Sequence, residues 1–537
     1  MMPNKKAKVI TVFGGVYSSL GKGVCISSIA KILSCLGFKV SIIKFDPYLN
    51  YDTEMMAPGQ HGETFVTADG AQGDLDLGTY ERFLNRDLTE MSTMTSGKIY
   101  WNIINKERNG GYGGKTVQVV PHVTGVIKDR INQIIDKEQC DFLLIELGGT
   151  TGDIESAPFI EAISQFNVEY GSENCLNCLV APLIMLSSTS GEHKTKPAQH
   201  AVKILRSLGI NPKMMILRTS NDVNHDIFEK MYLTSHINPD AIFVAKDMKS
   251  IYEVPSYFYQ QKLHHFILNY FNINYEPKND HFKNQWQNFV DQTKKIKDKL
   301  QIALIGKYIS LHDSYASVIE ALRFAGYQNN VKVKIKWIES DELNSPEAIK
   351  KQLADCSGAI VPGGFGVRGM KNMINTLKYL REQDIPTVGL CLGMQLMVIE
   401  YARNVLNQKD AHSTEFDQYT PFPVISMLDS KLRLGNQECH VVENSKAFRL
   451  YQKSSIQQRH RHRYGFINPE YIKMYQSEDF VPSMYGTYAN NKQVVEFMEH
   501  KKNKCYMGCQ FHPELRSKPQ NTDPIFNELI YHAKNAR

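Results

Sequence analysis

The chain has no apolar run long enough to span a membrane, and no apolar core follows Met1-Met2-Pro3-Asn4-Lys5-Lys6. A membrane protein and a secreted one are therefore not expected. The cysteines form no framework: Cys175 and Cys178 make one isolated C-x-x-C, and Cys505 and Cys509 stand four apart. Four spaced ligands for zinc are missing, and scattered reduced thiols suit a cytoplasmic location. Charge of one sign is also scarce. The net charge of +6 is small for 537 residues and does not argue for nucleic acid, the short basic run Arg459-His460-Arg461-His462-Arg463-Tyr464 included. Internal repeats and low-complexity tracts are absent too. What is present is an ordinary soluble composition, 42% hydrophobic and 22% charged, on a chain too long for one core.

Short β-branched runs alternate with helical stretches. Lys8-Val9-Ile10-Thr11-Val12-Phe13 leads into Gly14-Gly15, a helix is expected over 24–36, and a second strand over 40–45. This βαβ opening implies a parallel sheet, continued by strands at 141–147, 178–182, 214–217 and 241–244. Between 274 and 300 the texture turns to Asn, Lys and Asp, with the charge run 294–299. We read an interdomain linker there with a helical stretch and mostly solvated charges. The alternation restarts at 302–306 and continues through 359–362 and 387–390. The expected fold is α/β with two doubly wound parallel-sheet domains, 1–273 and 301–537, joined by 274–300.

In the first domain, Gly14-Gly15-Val16-Tyr17-Ser18-Ser19-Leu20-Gly21-Lys22-Gly23 lies between strand and helix. Backbone N–H groups there would wrap phosphate oxygens while Lys22 neutralises charge. Gly15 is one residue too far from Gly21 for the common G-x-x-x-x-G-K-[ST] spacing, and Gly23 replaces the hydroxyl that touches magnesium, so a plain glycine-rich turn is the other reading. The metal would fall to carboxylates: Asp74 and Asp76, alternating as on one face of a strand, and Glu146, near the end of an apolar strand. Each is otherwise a solvated or salt-bridged carboxylate. Lys194-Thr195-Lys196-Pro197, after Ser187-Ser188-Thr189-Ser190-Gly191, suits a second phosphate clamp or an ordinary surface loop. Asp153-Ile154-Glu155 would present carboxylates to a sugar or base, or cap the helix starting near Ser156.

In the second domain, Gly389-Leu390-Cys391-Leu392-Gly393 follows an apolar strand and precedes a helical run. Strand, tight Gly-x-nucleophile-x-Gly turn and helix make a nucleophile elbow, and a helix N-terminus favours a thiolate. Far along the chain, Gln510-Phe511-His512-Pro513-Glu514 supplies a base and an orienting carboxylate two apart, as an extended segment would present them. Gly363-Gly364-Phe365-Gly366 would aim N–H groups at an oxyanion. A cysteine nucleophile with a remote histidine fits amide hydrolysis. A buried structural cysteine is the alternative for Cys391.

Taken together, these residues closely resemble the CTP synthase family, a P-loop-like synthetase domain followed by a class I glutaminase domain. The likeness runs from about Lys8 to the end. It includes Ser18–Gly23, Asp46-Pro47-Tyr48, Gln60-His61-Gly62-Glu63, the stretch 74–78 with Tyr80-Glu81-Arg82-Phe83, the stretch 152–156 and the stretch 194–197. The resemblance implies that ATP phosphorylates O4 of UTP, and that ammonia released from glutamine at Cys391 travels internally and displaces the phosphate. CTP, ADP, phosphate and glutamate result, with GTP as allosteric activator and CTP as inhibitor at the UTP site. It further implies a homotetramer, with filaments as a further assembly.

Matched position by position, the resemblance makes Cys391, His512 and Glu514 catalytic. Ser19, Leu20, Gly21, Lys22, Gly23, Val24, Lys44, Asp76, Lys246, Asp247 and Met248 would contact ATP, and Asp76 and Glu146 would hold Mg2+. Ser18, Lys194, Thr195, Lys196, Pro197, Ala198, Gln199 and Lys230 would serve UTP and CTP, as would Asp153, Ile154 and Glu155. Gly364, Leu392, Gly393, Met394, Gln395, Glu415 and Arg463 would hold glutamine, and Asp74 drops to a supporting role. Three positions depart from the pattern. Thr64 stands where many members have an apolar residue near the ammonia gate. Ala316, in Asp313-Ser314-Tyr315-Ala316, replaces a lysine of bacterial members near the GTP-responsive region and looks like the eukaryotic form. Asp429-Ser430-Lys431-Leu432 replaces a glycine-rich stretch before Arg433-Leu434-Gly435. The rival readings are another two-domain amidotransferase, cobyric acid synthase-like, and a non-catalytic nucleotide-sensing filament protein.

Overall fold

The structure is a computed structural model that describes residues 6–185, 193–275, 281–307, 309, 311–364 and 366–536. It consists of two compact units, Met1–Thr53 with Thr79–Lys294, and Glu54–Gly78 with Lys295–Arg537. The second unit is thus discontinuous and draws one short segment from early in the chain.

The apolar runs of the first unit become β1 (Lys8–Gly14), β2 (Val40–Asp46), β3 (Thr93–Thr95), β4 (Phe142–Leu147), β5 (Cys175–Pro182), β6 (Met214–Thr219) and β7 (Ile242–Lys246). They form a seven-stranded sheet in the order β7-β6-β5-β1-β4-β2-β3, every pairing parallel. β4 and β5 are buried along their whole length, which is why they read as unbroken apolar runs rather than as alternation. Helix α1 (Lys22–Cys35) follows β1 and buries Ile26, Ile29 and Leu33. The chain leaves β1 for one side of the sheet and later builds β5, β6 and β7 on the other. The carboxyl end of β1 is therefore a topological switch point, where open α/β sheets place ligands.

The stretch expected as a solvated linker contributes to this unit's core. Phe282, Trp286 and Val290 are buried on the helical segments Phe282–Gln287 and Asn288–Lys295. Trp286 donates its indole N–H to Tyr252 O at 3.0 Å and packs 5.5 Å from Phe83. The polar residues between these apolar positions set the composition, while the apolar ones set the packing. Residues 276–280 lie outside those described.

The second unit has a nine-stranded sheet of β8 (Lys299–Gly306), β9 (Lys332–Glu339), β10 (Gly358–Val361), β11 (Thr387–Leu390), β12 (Arg433–Val441), β13 (Ser455–His462), β14 (Phe480–Tyr488), β15 (Lys492–His500) and β16 (Tyr506–Cys509). Its order is β9-β8-β10-β11-β16-β15-β14-β12-β13. The expected parallel sheet covers the first five strands; the other four join antiparallel, so the sheet is mixed. The links 489–491 and 501–505 are too short for a parallel return, which needs a long crossover, so β15 lies antiparallel to both β14 and β16. Between β14 and β15, Asn490 and Asn491 take positive φ of 57° and 58°, the left-handed turn that Asn tolerates. No described helix is long and apolar enough to cross a membrane.

Candidate active sites

β11 ends at Leu390 and helix α2 (Leu392–Asn404) begins at Leu392, so Cys391 alone makes the turn, at φ 51° and ψ −102°. Such backbone costs on the order of 1–3 kcal/mol in a non-glycine residue and is held only by its surroundings. The flanking glycines permit it. A Cβ on Gly393 would lie 2.1 Å from Val361 O, and one on Gly389 would lie 2.7 Å from the Gly393 carbonyl carbon. The Cys391 N–H donates to Cys509 O at 2.7 Å, tying the elbow to β16. Gln510 Nε2 donates to Cys391 Sγ at 3.5 Å, and Gln395 Nε2 donates to Gln510 Oε1 at 3.1 Å.

His512 Nδ1 lies 2.6 Å from Glu514 Oε1. The two are not on an extended segment as expected. Glu514 sits in the short 3-10 turn Pro513–Arg516, which folds its carboxylate back onto the ring. A Cβ on Gly363 would come 3.0 Å from His512 Cε1 and 3.6 Å from Cys391 Cβ, so the strand-end glycine, His512 and Cys391 meet. Burial disfavours the imidazolium, but the Glu514 carboxylate and Cys391 outweigh it and hold the His512 pKa well above its ordinary value. The group is poised as a proton acceptor from the thiol.

A cavity of about 360 Å³ opens beside Cys391. Of the residues expected to hold glutamine, Gly364, Leu392, Gln395, Glu415 and Arg463 line it, together with Glu54, Met55, Arg461 and Tyr464. Gly393 and Met394 continue α2, with Met394 fully buried against Gly508. Burial raises the Glu415 carboxyl pKa, partly offset by the Gly366 N–H and Lys307. Phe365 lies outside the described residues. A smaller cavity of about 80 Å³ reaches Cys391, His512 and Gly363 and is also lined by Pro58, Glu63, Thr64, Ser314 and Tyr315. Glu63 is held there by the Ser317 N–H at 3.0 Å.

The basic run faces two ways along β13. Arg459, wholly buried, lies 5.4 Å from the Phe65 ring and donates to Val66 O at 3.1 Å. Arg461 donates to Gln72 Oε1 at 2.8 Å, and Arg463 to Glu54 Oε1 at 3.0 Å. The arginines thus hold the segment Glu54–Gly78. On the other face, His460 and His462 are buried beside the ion pair of Arg433 with Glu496. Burial raises the Glu496 pKa to about 7 and lowers that of His462 to about 3. Cys439, His460 and Glu496 place ligand atoms within 4.8 Å of one another, but the Arg433 cation among them makes this an ion-pair network rather than a metal site. Sequence reasoning missed Gln510, Arg461 and Glu54. Gln510 was legible only as a neighbour of His512, and Glu54 had no local signal.

In the first unit, the loop after β1 ends in Gly21 at φ 79°, and Lys22 opens α1. Lys22 Nζ donates to Gly149 O at 2.6 Å, and Thr151 Oγ1 donates to Gly14 O, so the loops after β1 and β4 are tied together. Ser18 and Ser19 are exposed; Leu20 and Gly23 are buried, and Val24 lies between. Lys44 on β2 pairs in register with Glu146 on β4, and both are buried. Lys44 Nζ lies 3.5 Å from Asp46, and the Tyr80 hydroxyl donates to Glu146. At the end of β7, Lys246 donates to Asp222 at 2.6 Å, Asp247 pairs with Arg218, and Met248 follows. Arg218 also approaches the loop: a Cβ on Gly21 would lie 3.8 Å from its Nε.

Asp74 and Asp76 do not alternate on a strand. Strand Gln72–Gly73 has ended, and Asp76 opens helix Asp76–Leu84, where a carboxylate complements the helix dipole. Asp153 does not cap the helix after it. Its Oδ2 accepts from Thr150 N at 3.1 Å, and Ile154 and Glu155 are exposed in the turn Ile154–Ser156. Helix Lys196–Ser207 carries Pro197, Ala198 and Gln199, whose Nε2 donates to Thr195 Oγ1 at 2.8 Å. Lys194 lies on the short strand His193–Lys194, and Lys230 is exposed on helix His225–Ser235. The hydroxyl run Ser187–Ser190 with Gly191 lies outside the described residues.

Residues 8–273 match the family described as CTP synthase N-terminus, and residues 310–531 match the family described as glutamine amidotransferase class-I. The chain is 46% identical to the CTP synthase of Phytoplasma australiense, over 98% of this chain and 97% of that protein. It is 43% identical to the CTP synthase of Caldanaerobacter subterraneus subsp. tengcongensis, over 98% of each. Among solved structures, the glutaminase domain of Trypanosoma brucei CTPS with bound acivicin is 30% identical. That match covers 44% of this chain and 94% of that one, with a TM-score of 0.42.

Proposed function

Since the chain belongs to the CTP synthase family and catalyses the glutamine-dependent conversion of UTP to CTP, we propose that the cavity beside Cys391 is where glutamine is hydrolysed. The observation that carries this reading is the meeting of Cys391, His512 and Glu514 beside a cavity lined by both Glu415 and Arg463. An amino acid needs an anion for its ammonium and a cation for its carboxylate, and Glu415 and Arg463 offer them. His512 takes the thiol proton and Cys391 attacks the side-chain amide carbon. The N–H groups of Leu392 and Gly364 would serve the oxyanion, His512 returns the proton to departing ammonia, and water then cleaves the glutamyl thioester to free glutamate and Cys391.

The synthetase chemistry is assigned to residues 1–273. ATP would lie against Ser19, Leu20, Gly21, Lys22, Gly23 and Val24 at the switch point, with Lys44 and Lys246, Asp247 and Met248 beside it. It would transfer its terminal phosphoryl group to O4 of UTP, making oxygen a good leaving group for ammonia. UTP, and CTP as inhibitor, would be held by Ser18, the stretch from Lys194 to Gln199, Lys230 and the 153–155 turn. The two carboxylates Asp76 and Glu146 have the hard oxygen donors that Mg2+ takes, and Glu146 is buried near a strand's carboxyl end. The ion would neutralise phosphate charge during transfer. GTP as activator, a homotetramer with filaments, and a cytoplasmic location complete the proposal.

The test is CTP formation from UTP, ATP and Mg2+, with glutamine plus GTP or with ammonium, for the wild type and Cys391→Ala. Glutamine-driven synthesis should fall by at least about 10³-fold while ammonium-driven synthesis persists. Loss of both activities in a folded variant would remove Cys391 from the assigned role.

A further inference from the structure

Arg461 and Arg463 are the arginines lining the cavity beside Cys391, and each already has a partner. Arg461 donates to Gln72 Oε1 at 2.8 Å and to the Glu54 backbone carbonyl at 3.3 Å. Arg463 Nη2 donates to the Glu54 carboxylate at 3.0 Å, and Gln72 Nε2 holds the other Glu54 oxygen at 3.1 Å. Glu54 itself lines the cavity. An acidic side chain of the chain's own therefore sits on Arg463 at the place where an incoming carboxylate would seek it.

We infer that Glu54 is an internal competitor for the substrate's α-carboxylate, raising the KM for glutamine by occupying Arg463. The inference rests on the reading of this cavity as the glutamine site. Two geometric facts favour competition over help. Glu415 already supplies an anion to the same cavity, so a second carboxylate is not needed for the α-ammonium. Glu54 is also held from both sides, by Arg463 and Gln72, in a position directed at the guanidinium. The pair is partly open to solvent, with side chains 45% and 31% exposed, so the competition is screened and modest rather than blocking. Glutamine binding would make Arg463 share or release Glu54, the first residue of the segment whose Glu63 and Thr64 line the smaller cavity.

The test is steady-state glutaminase kinetics of Glu54→Gln, with L-glutamine and with its α-carboxamide as substrates. The amide keeps the side-chain shape and one acceptor oxygen, so folding should be retained, and Glu54→Ala serves as a second variant. We expect KM for glutamine to fall about fivefold in both variants with kcat little changed, the scale of one like-charge repulsion at about 4 Å under water-like screening. With the α-carboxamide, variants and wild type should have equal KM. An unchanged KM for glutamine overturns the inference. A raised KM overturns it too, by making Glu54 a ligand of the α-ammonium. Arg463→Ala separates the two levels: if it leaves the glutamine KM untouched, the cavity reading fails and the inference with it.

Discussion

Cys391, His512 and Glu514 do different electrostatic work in one buried place. Burial alone would strip the proton from His512, and the neighbouring Glu514 and Cys391 reverse that outcome. Glu514 also fixes the ring, since its Oε1 takes Nδ1 and leaves Nε2 for the thiol. Glu514→Gln should lower glutaminase kcat/KM by about 10²- to 10³-fold while ammonium-driven synthesis stays close to wild type. An effect under threefold would show that Glu514 does not position the base. The pairing of His512 with Glu514 was legible because the two are two residues apart; the place of Gln510 was not, because its donation to the thiol depends on β16 lying beside β11.

The elbow shows how an element enforces a residue's strain. Strand β11 and helix α2 approach so closely at their junction that neither glycine has room for a methyl group, and Cys391 takes a positive φ between them. Gly393→Ala would press a Cβ into the Val361 carbonyl, which is backbone and cannot rotate away. We expect about 3 kcal/mol of destabilisation and loss of glutaminase activity, read from thermal unfolding and from glutamine turnover. A variant with wild-type melting and turnover would contradict the packing argument. Elsewhere local signals failed for definable reasons. Asp76 was taken for a strand residue because alternation over three residues also fits a helix start. Strands β12 and β13 went unseen because a polar ribbon at the sheet's edge lacks the apolar runs of a doubly covered sheet.

At the scale of the molecule, the glycine-rich loop before α1 and the thiol elbow belong to different compact units. Lys22, at the first turn of α1, should serve only the synthetase reaction. Lys22→Ala is expected to cut CTP formation by about 10²-fold or more from either nitrogen source, while some glutaminase activity remains. Near-normal synthesis from ammonium would sink the phosphate-loop assignment. The match of residues 8–273 also sets aside the cobyric acid synthase-like reading, which the elbow alone could not have done.

The sequence by itself determined the two α/β units, the order of their parallel strands' signals, the elbow and its remote histidine. Each is written in short-range chemistry: runs of apolar residues, glycines where a turn excludes Cβ, a nucleophile between strand and helix. Only the tertiary structure decided that Glu54–Gly78 folds with the C-terminal unit, and that the arginines of the 459–464 run hold it. It alone placed Glu54 on Arg463. Those pairings join residues some four hundred positions apart. Long-range partners are chosen by which surfaces the folded strands bring within hydrogen-bond reach, and no local pattern of residues encodes that choice.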